Sequence, residues 1–151
     1  MSDVEACAKL GAIMGDGTSS QVQALAEYGS DLGFLFRLSN DLGDLLNDEW
    51  NLALRLENES VPLPILHAAK ASAQNFLRIN SILSKKLDPE GYAELLQLGR
   101  FSNSFNYVLK RAEETKYHAK EKLSEIEKSR ARDILSLMLD QAFNDISSAF
   151  K

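Results

Sequence analysis

From Ser19 to Asn47 the chain runs without a proline and carries leucine, phenylalanine or alanine at almost every second or third step. A segment this long, without a turn residue pair or a strand's strict alternation, has one regular solution, which is an α-helix. The sequence contains only three prolines, and two of them, Pro62 and Pro64, sit together. Long helices are therefore permitted nearly everywhere. Ser2 with Glu5 three positions later fits a capping box, and Val4, Ala8 and Ile13 continue a helical face until Gly15 in "GDGTSS". Ser19 and Ser20 then supply N-cap chemistry for the long helix. The mixed segment "DEWNLALRLENES" reads as a loop with at most a turn or two of helix. Pro62 and Pro64 suit the first turn of a third helix continuing through "LHAAKASAQNFLRINSILSKK". After the turn signal "LDPEG" come "YAELLQLG", "SNSFNYVLKRAEETKYHAKEKLSEI" and "SRARDILSLMLDQAFNDISSAF". The expectation is an all-α helical bundle of about six helices, forming a single domain over residues 1–151.

Bulk properties narrow the function classes. A formal charge of −5 over 151 residues disfavours nucleic acid and anionic membrane as partners, because phosphates would be repelled. No apolar run is long enough to span a bilayer, so no transmembrane segment is expected. The one cysteine, Cys7, cannot close an internal disulfide, and no secretion-signal pattern is read at the N-terminus, which points to a cytoplasmic protein. Cys7 reads as a small apolar filler. His67 and His118 fall on separate helices with no second ligand at helical spacing, so they read as ordinary histidines. Tyr92, Phe101, Phe105 and Tyr107 recur at spacings that suit a buried face.

The candidate site lies within "FRLSNDLGDLLND". At 100° per residue, Gly29, Gly33, Arg37, Asn40, Asp41, Asp44 and Asp48 fall within an arc of roughly 120°. Such a stripe is often only the wet side of a helix. Two details argue for more. Gly29 and Gly33 each cost roughly 1 kcal/mol in a helix relative to alanine, so something approaches closely there, if only a neighbouring helix. Asp41, Asp44 and Asp48 repel one another with Arg37 as the counter-charge at hand, and a divalent cation such as Mg²⁺ would relieve that repulsion.

"YGSDLGFLFRLSNDLGD" resembles the segment around the second aspartate-rich motif of the trans-polyprenyl diphosphate synthases, G-x-x-F-Q-x-x-D-D-x-x-D; Gly33, Phe36, Asp41 and Asp44 match it. "CAKLGAIMGDG", "VPLPILHAAKAS" and "FNYVLKRAEETKYHAKEKLSEI" resemble the family's flanking helices, so the likeness covers nearly all of this chain but only the C-terminal half of the family's usual length. The resemblance implies an all-helical fold around a cavity, with Mg²⁺ ions bridging the diphosphate of an allylic substrate. Ionisation of that substrate and attack by isopentenyl diphosphate complete prenyl transfer. It further implies Asp41, Asp44 and Asn40 as metal ligands, with Asp41 and Asp44 as the catalytic pair and Arg37 as a diphosphate contact. The matches are eroded at several places. Asn40 stands where the motif has an aspartate, Arg37 replaces a glutamine, Ser60 a lysine and Pro62 a threonine. No other D-D-x-x-D-like cluster occurs in the sequence. Two roles in isoprenoid biosynthesis follow as expectations. One is a polyprenyl synthetase-like prenyltransferase acting on prenyl diphosphates as a homodimer or with a complementary subunit. The other is a non-catalytic helical subunit or pseudoenzyme paired with another prenyltransferase chain.

Overall fold

The computed structural model describes residues 3–47 and 49–149. Ser2 of the expected capping box and Asp48 of the acidic stripe lie outside the described residues. Among those described, the chain forms eight helices and no strand: α1 (Asp3–Met14), α2 (Ser19–Asn47), α3 (Glu49–Asn58), α4 (Leu63–Ala71), α5 (Ala73–Leu83), α6 (Pro89–Phe101), α7 (Ser104–Ser124) and α8 (Arg130–Ser148). None of them is long and apolar enough to cross a membrane.

The all-α expectation holds, and the rise from six helices to eight has two local causes. The segment expected to be mostly loop after Asn47 is the helix α3, whose inner side carries Leu52 and Arg55. The helix expected to run on from Pro64 breaks at Ser72, which is extended (φ −159°, ψ 158°) and whose hydroxyl accepts from the Asn75 backbone N–H to start α5. Serine does this without a proline or glycine, because its side chain offers the backbone a partner outside the helical ladder. The start of α2 also differs in detail. Thr18, not Ser19 or Ser20, closes a reciprocal capping box with Gln21: its hydroxyl accepts from Gln21 N at 3.3 Å while its own N–H donates to Gln21 Oε1 at 2.9 Å.

The chain divides into two compact units. The first comprises the described part of Met1–Ser39 together with Arg111–Ala149. Within it Tyr28 Oη donates to the Leu135 carbonyl at 3.0 Å, tying α2 to α8. His118 Nδ1 lies 2.5 Å from Asp31 Oδ2 and Lys122 Nζ 3.0 Å from Glu27 Oε2, tying α7 to α2. Lys116 and Lys120 both reach Asp140 Oδ1, at 2.8 and 2.7 Å, and so tie α7 to α8; Lys116 also lies over the Phe143 ring, 4.5 Å from its centre. Arg111–Glu114 and Lys122–Glu125 pair along α7 itself, while its longer-range pairs lock it to neighbouring helices. Cys7 is exposed, so it is not the apolar filler expected on α1.

Gly29 explains one of the two stripe glycines. A Cβ there would lie 2.8 Å from Ala8 Cβ, Glu5 Cα and Val4 O, all on α1. The close approach is that of a neighbouring helix. Alanine at an exposed helical glycine gains roughly 1 kcal/mol in helix propensity, but overpacking costs about 1–3 kcal/mol. Because two of the three clashing atoms belong to backbone, the clash wins.

The second unit is Asn40–Lys110. Its core gathers Leu45 of α2, Leu52 of α3, Ile65 and Ala68 of α4, Ile79 of α5 and Leu95 of α6. Leu56, Tyr92 and Phe105 pack against it, half-buried, and Tyr92 Oη donates to the Leu45 carbonyl. Of the four aromatic residues expected on a buried face, Phe101 is the clear exception: it is 80% exposed at the end of α6, and Tyr107 is partly exposed. Asn103, with φ 56°, makes the turn from Phe101 into α7, a left-handed conformation that asparagine tolerates well.

Two measurements test this account. Gly29→Ala should lower unfolding stability by about 1–3 kcal/mol in denaturant titration, where a surface glycine would give a gain. For Asp140, the hydrogen bonds from Lys116 and Lys120 hold the carboxyl below the usual carboxylate range. A lowered folded value means that its contribution is present above the usual carboxylate range and is lost as pH falls through the folded value. Because the side chain is more than a third exposed, Asp140→Asn should cost no more than about 1 kcal/mol near neutrality. Parent and variant midpoints should converge in strong acid.

Candidate functional site

The acidic stripe of α2 does not behave as a unit. Asn40 and Arg37 are exposed, Asp44 is partly buried, and Asp41 is buried, 5% exposed. Asp41 and Asp44 are one helical turn apart, so their carboxylates point toward the same neighbour. That neighbour is Arg55 of α3, itself 5% exposed. Its Nη2 donates to Asp41 Oδ1 at 2.5 Å and its Nη1 to Asp44 Oδ2 at 2.8 Å. Its Nε donates to the Ser60 carbonyl at 3.0 Å, and Glu59 Oε2 lies 3.5 Å from Nη1. Each of the three nitrogens of the fork therefore has an oxygen partner, which is the geometry that makes a buried guanidinium tolerable.

The second oxygen of Asp41 does a different task. The N-cap of α4 is Pro62, which has no side-chain group to cap with, and Pro64 sits in the first turn. Asp41 Oδ2 accepts from the Leu63 backbone N–H at 3.1 Å, so a carboxylate from α2 caps α4 from outside. The positive end of the α4 dipole favours a negative charge there. Asp41 thus joins α2, α3 and the start of α4 in one polar knot inside an apolar unit.

The sequence singled out Asp41 and Asp44 with Arg37 as the counter-charge at hand; the structure shows in addition Arg55, bonded to both acids. Arg55 was legible only through α3. Leu52, Arg55 and Leu56 share one face of a helix, and a lone arginine on the apolar face of a helix signals a buried partner. With the segment read as loop, that face did not exist.

A Mg²⁺ ion takes oxygen ligands in near-octahedral geometry and prefers carboxylates whose charge is not already neutralised. Here both oxygens of Asp41 and one of Asp44 have strong donors, and the charge of the pair is offset by a guanidinium. Among the described residues no group of three or more His, Cys, Asp or Glu is arranged to hold a metal. As arranged, the residues do not fit a Mg²⁺ site. Nor do the acids open into the cleft of about 470 Å³ beside α3, which is lined by Trp50, Ala53, Leu54 and Leu87 with Glu49, Glu57 and Lys86.

The two histidines have structural partners. His67 Nδ1 lies 2.9 Å from the hydroxyl of the buried Ser104, and its ring stacks on Tyr107 at 4.1 Å. His118 faces Asp31, whose carboxyl is pushed up by burial while the histidine hydrogen bond works against that rise.

Removing Arg55 while leaving the acids tests the knot. Arg55→Met keeps the volume and apolar stem but strands Asp41 without its cation. The expected cost is about 3–5 kcal/mol in equilibrium unfolding, far above that of an exposed ion pair. A loss below about 1 kcal/mol would mean the pair is dispensable.

Comparison with known proteins bears on the whole chain. No family model matches the sequence. A short chain isoprenyl diphosphate synthase from Methanothermobacter thermautotrophicus is 29% identical over 142 residues, which is 91% of this chain and 43% of that protein. Among solved structures, a polyprenyl synthase from Roseobacter denitrificans matches 93% of this chain and 48% of its own with a TM-score of 0.80 at 22% identity. A decaprenyl diphosphate synthase from Rhodobacter capsulatus gives 0.78 at 22% identity, over 93% of this chain and 44% of its own. A geranylgeranyl pyrophosphate synthase from Corynebacterium glutamicum, crystallised with calcium and isoprenyl diphosphate, gives 0.74 at 20% identity, over 91% and 44%. The chain thus spans less than half the length of each of these proteins. The sequence relative and the shared fold support a likeness to the trans-prenyl synthases that covers about half the length of those proteins.

Proposed function

We propose that the chain serves isoprenoid biosynthesis as a polyprenyl synthase-type helical unit that meets prenyl diphosphates only together with further helices. Those helices would come from additional sequence, a second copy or a complementary prenyltransferase chain. The observation that carries this reading is the sequence match to a short chain isoprenyl diphosphate synthase across nearly the whole of this chain. The matched segment includes the one acidic cluster that the sequence offers at motif spacing, Asp41 and Asp44. In these 151 residues no second such cluster is present to face it.

A second reading, that the unit is a non-catalytic partner of a prenyltransferase, is favoured by the Arg55 knot. Carboxylates that hold a guanidinium and cap a helix are engaged in supporting the fold, and no metal-assisted ionisation step is assigned to them here. Asn40 and Arg37 are exposed on the outer side of α2, where a ligand or partner would meet them. A cation at Arg37 would suit the diphosphate of a substrate held by the neighbouring helices of the partner.

The experiment is a prenyl transfer assay with labelled isopentenyl and allylic diphosphates and Mg²⁺, run on the purified chain alone and after co-expression with a full-length polyprenyl synthase. The chain alone is expected to give no product. The co-expressed pair is expected to co-purify and to change product yield or chain length. Turnover by the chain alone would exclude the non-catalytic reading. Absence of complex formation, of turnover and of any diphosphate-dependent thermal shift in both arrangements would remove the prenyl synthase-type reading altogether.

A further inference from the structure

We propose that Arg55 is a built-in cation occupying the position between Asp41 and Asp44, so that the cluster takes up no divalent ion while Arg55 is present and becomes a divalent-cation site when it is removed. Two carboxylates one turn apart on a helix, with a third on Glu59 close by, form an anionic pocket that demands positive charge. A divalent ion would meet that demand with two charges and bond lengths near 2 Å. Arg55 meets it with one charge spread over a planar fork. Its Nη1 and Nη2 each take a different carboxylate, and Nε is fixed by the Ser60 carbonyl. The fork therefore cannot turn away from one acid without giving up contacts to the others.

Exclusion of a metal follows from placement. An ion entering between Asp41 Oδ1 and Asp44 Oδ2 would have to occupy the space of the guanidinium, whose side chain is only 4% exposed. Nor can the ion sit beside the fork, because like charges repel strongly at such distances in a medium of low dielectric constant. Truncating Arg55 reverses both conditions. It leaves space bounded by Asp41, Asp44 and Glu59, the three carboxylates that the guanidinium now contacts. Asp41 stays fixed by its bond to Leu63 N, which makes it an oriented donor.

The test needs no diphosphate and no activity, so its outcome is separate from that of the proposed function. Thermal unfolding and the fluorescence of Trp50, the single tryptophan, on α3 with Arg55, are followed in EDTA and in millimolar MgCl₂ or MnCl₂ for the parent chain, Arg55→Ala and Arg55→Gln. The parent is expected to show the same midpoint in EDTA and in either metal. Arg55→Ala is expected to melt earlier in EDTA, to recover in metal, and to bind Mn²⁺ at least about tenfold more tightly than the parent, since ligand charge count sets such affinities. Adding Asp44→Asn to Arg55→Ala should abolish the recovery. Metal-dependent stabilisation of the parent that is lost in Asp41→Asn would overturn the proposal. Where Arg55→Ala is unfolded in EDTA, folding on addition of metal supports it. Persistent unfolding of that variant, together with no metal response in Arg55→Gln, overturns it.

Discussion

A charge buried in a small helical unit is costly unless every part of it is matched, and the segment Asn40–Lys110 is arranged around one such charge. Asp41 is 5% exposed, in a unit whose core is made of leucine, isoleucine and alanine side chains. Its two oxygens are directed to two different elements, Arg55 of α3 and the first N–H of α4. This is why α3 must be a helix with its arginine turned inward, and why α4 can begin at a proline that has nothing to cap it. Apolar burial fixes how strongly these helices associate. The polar knot fixes which helix end meets which, because displacement by one residue would leave a guanidinium or a carboxylate unpaired in a dry setting.

The parts legible in the sequence were those set by local periodicity. The scarcity of proline and the unbroken apolar pattern from Ser19 to Asn47 specify α2; "LDPEG", read as a turn ahead of the helix, instead opens α6 itself, with Asp88 Oδ1 accepting from Gly91 N. What was not legible depended on partners far along the chain. Arg55 reaches back 14 residues to Asp41 through a helix whose mixed composition hid its inner face. The break at Ser72 is made by one hydroxyl, with no residue that forbids a helix. Phe101, Tyr107 and Cys7 show the reverse case, in which apolar character at helical spacing did not place a residue inside. Of the candidate site, the identity of the acids could be read, but not the cation that they hold, because a stripe shows only one side of an interaction.

The likeness to prenyl synthases and the polar knot bear on each other. This chain, which shares sequence with an isoprenyl diphosphate synthase and a fold with three prenyl synthases, carries two aspartates one helical turn apart on α2. That arrangement carries a standing electrostatic problem, since closely placed carboxylates destabilise the helix that bears them unless a cation sits between them. Any chain on this scaffold must supply one, from solution or from itself.

Supply from solution leaves a site that can also coordinate a ligand, because a hydrated ion keeps exchangeable positions. Supply from within does not, because a guanidinium has five N–H donors and no vacant position for an oxygen to coordinate. The two solutions therefore give the same helix geometry and different chemistry. With Arg55 in place, neutralisation of Asp41 and Asp44 becomes part of folding and is independent of the ions or diphosphates around the protein. The acids then act on the structure through α3 and α4. A helical scaffold can in this way keep its shape with its charges turned inward.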